Sequence, residues 1–194
     1  MKKLLGILVL IFTLQTPSQA DEISDFQIEG MSIGDSALDY FTKDQIKNAE
    51  FKMFKDDKYS TFVFYDSNYK VYDAIEIAYK KNDKKFIIAS ISGGITVTDK
   101  EVCLKKNNEI IENLKSFFPE SQSMSDEGAH PVDATGKSRY YRTAFKINPK
   151  AKYFEVEVSC IFYVGEMAND YASSAGITIK TDTFNEWVTN EAWK

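Results

Sequence analysis

An α+β domain is the fold this chain predicts: an antiparallel β-sheet with one long helix and short terminal helices packed on one face, in the order β-rich, helix, β-rich, helix. Three observations carry it. Residues 98–118 repeat apolar side chains at steps of three and four and end at Pro119, which is the period of a helix with one buried face. Residues 153–164 alternate strictly, with Phe154, Val156, Val158, Cys160 and Phe162 on one side and Glu155, Glu157 and Ser159 on the other. Two further β segments flank the polar run KKNDKK, a hairpin turn around Asn82 and Asp83, and adjacent hairpins build antiparallel sheets.

In chain order, residues 26–29 read as a short strand, followed by a turn between Gly30 and Gly34. Asp35 or Ser36 can cap a short helix through Leu38 and Phe41, and Thr42 with Gln45 forms a capping box for a second one reaching Asn48. Strands are expected over residues 58–65, 70–79 and 85–95. The middle one puts Val71, Ile75, Ile77 and Tyr79 on one face and Tyr72, Glu76 and Lys80 on the other. Gly93 and Gly94 mark a bulge or the end of the third. Thr98 and Glu101 cap the long helix, whose buried face is read as Cys103, Ile110, Leu114 and Phe117. Residues 120–137 show no periodicity and are rich in Ser, Gly and Asp, so a long mobile loop is expected there. Strands over 139–147, 153–164 and 176–181 follow, with a turn at Asn148 and Pro149. A last helix, capped by Asp182 or Thr183, carries Phe184 and Trp187. The repeated order suggests a duplication, although no residue-level repeat supports it.

Residues 1–20 have the form of a secretory signal peptide. Lys2 and Lys3 precede an apolar run to Leu14, and Ser18 and Ala20 occupy the small-residue positions of a cleavage site. The run is shorter than the roughly 20 residues that span a bilayer. Residues 21–194 then form a single domain, expected in the periplasm with no integral membrane segment after cleavage. The chain carries a formal charge of −5, which argues against nucleic acid and against anionic membrane surfaces as partners. The two cysteines, Cys103 and Cys160, lie on the inward faces of the long helix and the cleanest strand. In an oxidising compartment they should pair. Closing a loop of that length contributes about 4 kcal/mol on the chain-entropy model.

Reactive chemistry is sparse. His130 is the single histidine, in the expected loop, so neither a multi-histidine metal site nor a cofactor site is expected. A Ser-His-Asp triad would have to draw on it, and no serine is read as sitting in a Gly-x-Ser-x-Gly elbow. Asp66, Ser67 and Asn68 open like a calcium loop, but Lys70 and the missing Gly and Glu break the match. Glu155 and Glu157, two apart on one strand face, could serve as a carboxylate pair in a hydrolase acting on envelope glycans or peptides. In an acidic protein, carboxylates on the wet face of a strand usually serve only to solubilise it. Tyr140, with Tyr59, Tyr72 and Tyr141, offers a stacking surface. His130, Glu155, Glu157 and Tyr140 are therefore the candidates for contact with a ligand or partner, none of them assigned a catalytic role.

The stretches IEGMSIGDSALDYFTKDQI, DAIEIAYKKNDKKF and FNEWVTNEAWK together resemble a family of small exported proteins of Gram-negative bacteria, in which a Gly-x-Ser-x-Gly-Asp-Ser-like turn follows the signal. The resemblance implies an exported domain of this length and brings neither a known activity nor assigned catalytic residues. A non-catalytic periplasmic domain that binds a protein or an envelope component is the leading expectation, and the carboxylate hydrolase is the alternative. Mature protein recovered from the periplasm should begin at Asp21, which N-terminal sequencing checks; an intact Met1 would overturn the assigned compartment.

Overall fold

The computed structural model describes residues 26–66, 68–131, 133–148 and 150–194. The expected signal peptide and its expected cleavage before Asp21 lie outside them, as do Ser67 and Pro149. The domain is α+β, as the periodicities predict. Its elements are α1 (Lys43–Ala49), β1 (Glu50–Phe51), β2 (Tyr59–Tyr65), β3 (Ala74–Lys80), β4 (Ile88–Thr96), α2 (Lys100–Phe117), β5 (Gln122–Ala129), β6 (Arg139–Lys146), β7 (Val156–Phe162), α3 (Met167–Asp170), β8 (Ser174–Lys180) and α4 (Asp182–Asn190). All eight strands form one antiparallel sheet in the order β1-β2-β3-β4-β8-β7-β6-β5. Two four-stranded meanders, each followed by a helix, thus meet where β4 pairs β8. This is the repeated topology the element order suggested.

The main core lies on one face, where Phe62, Ile77, Ile91, Ile179 and Val156 form a cross-strand row. Ile46 of α1, Ile111 and Leu114 of α2 and the segment around Ile28 and Met31 close over it. Each such side chain taken fully from water contributes about 1.5–3 kcal/mol. Thr42 caps α1 through the expected box, accepting from the Gln45 N–H while the Gln45 side chain accepts from the Thr42 N–H. The short N-terminal strand is instead a tight turn. Ile28 and Met31 bridge each other across Glu29 and Gly30, both at positive φ. The Glu29 carboxylate then accepts from the N–H groups of Lys70, Val71 and Tyr72, tying this turn to the approach to β3.

Helix α2 is present as predicted but rotated. Asp99, rather than Thr98, is its N-cap, and the buried residues are Cys103, Asn107, Ile111 and Leu114. Phe117 is 46 % exposed, because a stripe stepping by four, four and three residues passes through Asn107 instead of Ile110. α2 belongs to the first meander yet packs on β7 and β8 of the second. Cys103 and Cys160 form the expected disulfide there, with Cα atoms 5.7 Å apart, inside a small cluster with Val97 and Ala175.

The final helix departs from the expected placement of all helices on one face. Thr181 caps α4, and Phe184 and Trp187 pack on Tyr59 and Ala78. Those residues point away from the face that carries Phe62 and Ile77. The Trp187 indole N–H donates to Asp56 at 2.7 Å, fixing the 52–57 loop under the helix. A two-fold axis perpendicular to the sheet would put both long helices on the same side, so the two halves repeat in topology but not in helix placement.

Gly93 and Gly94 neither bulge nor end β4, because pairing runs through them to Ile177 and Gly176. The register shift lies at Ala78 and Tyr79 instead. Glycine is needed here for space. A Cβ on Gly93 would come within 2.7 Å of the Tyr72 ring, and one on Gly176 within 2.5 Å of the Gly93 carbonyl oxygen. The expected loop at 120–137 is the largest correction. Its first half is strand β5, paired to β6 along its whole length. The remainder is a turn in which Asp133 accepts from the N–H groups of Thr135 and Ser138. Polar bonds order this segment, and they leave no hydrophobic period to read.

Replacing Cys103 or Cys160 by Ala should lower stability by about 2–4 kcal/mol each, and the double variant by little more than either, since both remove one crosslink. Urea unfolding under oxidising conditions checks this. Equal stability of wild type with and without reductant would contradict it.

Candidate functional site

The face opposite the main core is the place where functional side chains gather. α4 covers it over the start of β2, the end of β3 and the start of β4. From there to β5 it is an open, half-buried surface, with no further element packed on it among the described residues. Its floor is the glycine pair Gly94 and Gly176, and beside them the hydroxyls of Ser92 and Thr178 bond each other at 2.9 Å.

A charged network spans the β5 to β8 half of this surface. Arg142 on β6 donates through Nε and Nη2 to the two oxygens of Asp126 on β5, at 2.8 and 2.9 Å. This fork holds the Asp126 carboxyl below the usual range. Glu157 on β7 accepts from Lys180 of β8 at 2.9 Å and lies 4.0 Å from Arg142. Tyr140 stands beside Arg142, its ring 5.7 Å from the guanidinium carbon, and covers Gly128, where a Cβ would come within 2.9 Å of the ring. The register makes this assembly: Asp126 opposes Arg142, Arg142 opposes Ser159, and Ala144 opposes Glu157.

Of the four candidates, Glu157 and Tyr140 therefore meet on one surface. Glu155 does not join them. It precedes β7, its backbone bridges Phe145 and Lys180, and it is 5 % exposed. Its carboxylate accepts from the N–H groups of Ile147 and Asn148 at 3.0 and 2.8 Å. Burial raises its pKa, and the two donors pull it back. Glu155 thus orders the turn after β6, and the expected shared wet face with Glu157 is corrected. His130 is not a solvated loop residue either. It packs edge-on against Tyr163 with ring centres 5.0 Å apart, its Nε2 is 3.3 Å from the Tyr163 hydroxyl, and its Nδ1 is buried without a partner among the described residues. Burial lowers its pKa, against the pull of Asp133. Tyr171 extends this aromatic group at one end of the sheet, away from Glu157. Tyr59 is buried under α4, while Tyr72 and Tyr141 lie on the core face, so only Tyr140 of the four tyrosines reaches the open surface.

Three participants escaped the sequence reading: Asp126, Arg142 and Lys180, scattered in the chain and joined only by strand register. Glu76 is the fourth. It stands mid-face on β3 between Val63 and Ser92, half-buried, and no hydrogen bond or ion pair reaches its carboxylate among the described residues. Desolvation pushes its pKa up to about 7. Its position opposite Ile75 and Ile77 in the strand alternation was the available signal.

The residues 30–34 do spell Gly-x-Ser-x-Gly, yet they make no nucleophile elbow. Ser32 is 5 % exposed and its hydroxyl donates to the Phe26 carbonyl at 3.2 Å. Among the described residues no cluster of His, Cys, Asp and Glu has the form of a metal site. Two hollows of about 370 and 380 Å³ meet at Tyr59, one against α4 beside Trp187 and Glu191 and the other beside Phe51, Phe54 and Lys81, and neither is lined by a predicted candidate other than Tyr59. Comparison with protein-family models, with curated proteins and with solved structures found no match.

Because its folded-state pKa is raised, Glu76 keeps a proton that the unfolded chain releases above its ordinary value of 4.5. Its cost to stability therefore grows as pH rises from about 4.5 to about 7 and is complete above that. Glu76→Gln should stabilise by on the order of 1–3 kcal/mol at about pH 8 and by nothing at about pH 4. Denaturant unfolding at the two pH values reads this, and a pH-independent difference would show that the carboxylate is solvated.

Proposed function

We propose that this protein is an exported, periplasmic domain without catalytic activity that binds another protein or an envelope component on the open face of its sheet. The observation that carries the reading is a broad uncovered surface on which Asp126 and Glu157 are already engaged by Arg142 and Lys180, leaving Glu76 as the carboxylate there without a partner among the described residues. A carboxylate hydrolase needs two convergent acids at a set separation across a substrate. Glu155 turns instead into the protein to hold the 147–148 backbone, which leaves Glu157 without its proposed partner. Polar groups held in place by strand register, over a floor of small residues, suit recognition of a complementary surface with little ordering cost. The disulfide agrees with an oxidising compartment.

The test is site-specific photo-crosslinking in intact cells. A crosslinking side chain at Ser159 or Thr178, on the open face, should capture a discrete partner. The same group at Glu109, on the exposed side of α2, should capture none. Adding Arg142→Ala should reduce the open-face yield by at least several-fold. Equal capture from all three positions, or none from the open face, would refute the assignment.

A further inference from the structure

Strand β5 ends the sheet, and nothing pairs with its outer edge among the described residues. The opposite edge is the two-residue β1. An edge strand presents a row of unpaired backbone N–H and C=O groups, and proteins ordinarily guard it by shortness, bulges, proline or charged side chains, lysine above all. β1 has the first protection. β5 is eight residues long, contains neither Pro nor Lys, pairs β6 without a register shift, and has its two charges, Asp126 and Glu127, facing Arg142 and Arg139 of β6. Its exposed apolar side chain is Met124, 53 % accessible.

The geometry points to a second copy of this chain as the occupant of that edge, with two β5 strands pairing antiparallel about a two-fold axis at Met124. Such an axis stands perpendicular to the sheet, so residues oppose only others of the same face. Axes through residues 123–127 obey that condition near the strand centre, and the one at Glu127 sets two Glu127 carboxylates against each other. An axis at Asp126 sets the two Asp126 carboxylates against each other, and an axis at Ser123 sets Asp126 against Glu120 of the second copy. Like charges directly opposite destabilise a pair. An axis at Ser125 sets Met124 against a carboxylate. The axis at Met124 stacks the two methionines and sets Asp126 against Gln122, whose amide can donate to it, leaving the Arg142 fork intact. Charge and apolar matching thus select one register. The product is one sheet of double width in which both open faces lie on the same side and run together across the join. This inference is independent of whether that face binds a partner.

Sedimentation equilibrium of the oxidised mature chain tests it. The wild type should reach about twice the monomer mass as concentration rises, and Met124→Lys should stay monomeric while keeping the wild-type near-ultraviolet circular dichroism of its buried aromatics. Under mild oxidation Met124→Cys should form a covalent dimer, whereas Ser123→Cys, which opposes Ser125 of the second copy, should not. A monomeric wild type at every concentration overturns the proposal. So does a dimer that survives Met124→Lys, or one in which Ser123→Cys crosslinks and Met124→Cys does not.

Discussion

Everything in this domain depends on the close pairing of β4 with β8. It is the ladder that joins the two meanders, and it runs through Gly93, Gly94 and Gly176 without interruption. A side chain at Gly93 would collide with the Tyr72 ring and one at Gly176 with the Gly93 carbonyl, so the seam is tight where it is bare. Once the seam forms, the inward residues of both halves become one surface, and α2 can reach from the first meander onto the second. The disulfide then fastens a position the sheet has already defined.

How much of this could be read beforehand follows the physics of each element. The Thr42 cap, β2, the alternation of β7 and the cysteine pair were legible because burial or capping leaves a local pattern. β5 was not, since its partners are Thr143 for Ser125 and Arg142 for Asp126, and such bonds look like loop chemistry in a linear chain. The rotation of α2 was hidden by Asn107, a polar residue at a core position. α4 was misplaced because strand alternation sorts residues into two faces without saying that Tyr59 and Ala78, on the seemingly wet one, would gain a cover of their own.

The candidate surface divides the same way. Tyr140 and Glu157 were nameable as residue types on strand faces, but their neighbours Arg142, Lys180 and Asp126 come from separate strands and meet only through register. Glu155 shows the converse. One residue of offset before β7 turns an apparent surface acid into an internal brace for the 147–148 turn.

The crossing of α2 onto the second half also sets the order in which the molecule can come into being. While the chain is being made, the first four strands and α2 exist before the strands that α2 covers, and Cys103 waits for a partner 57 residues downstream. The strands on which α2 chiefly packs, β7 and β8, are absent from the leading half. Its native contacts are long-range, which slows assembly and couples it to the last strand laid down. The helix of the first half therefore gains its chief cover only once β7 and β8 have been made.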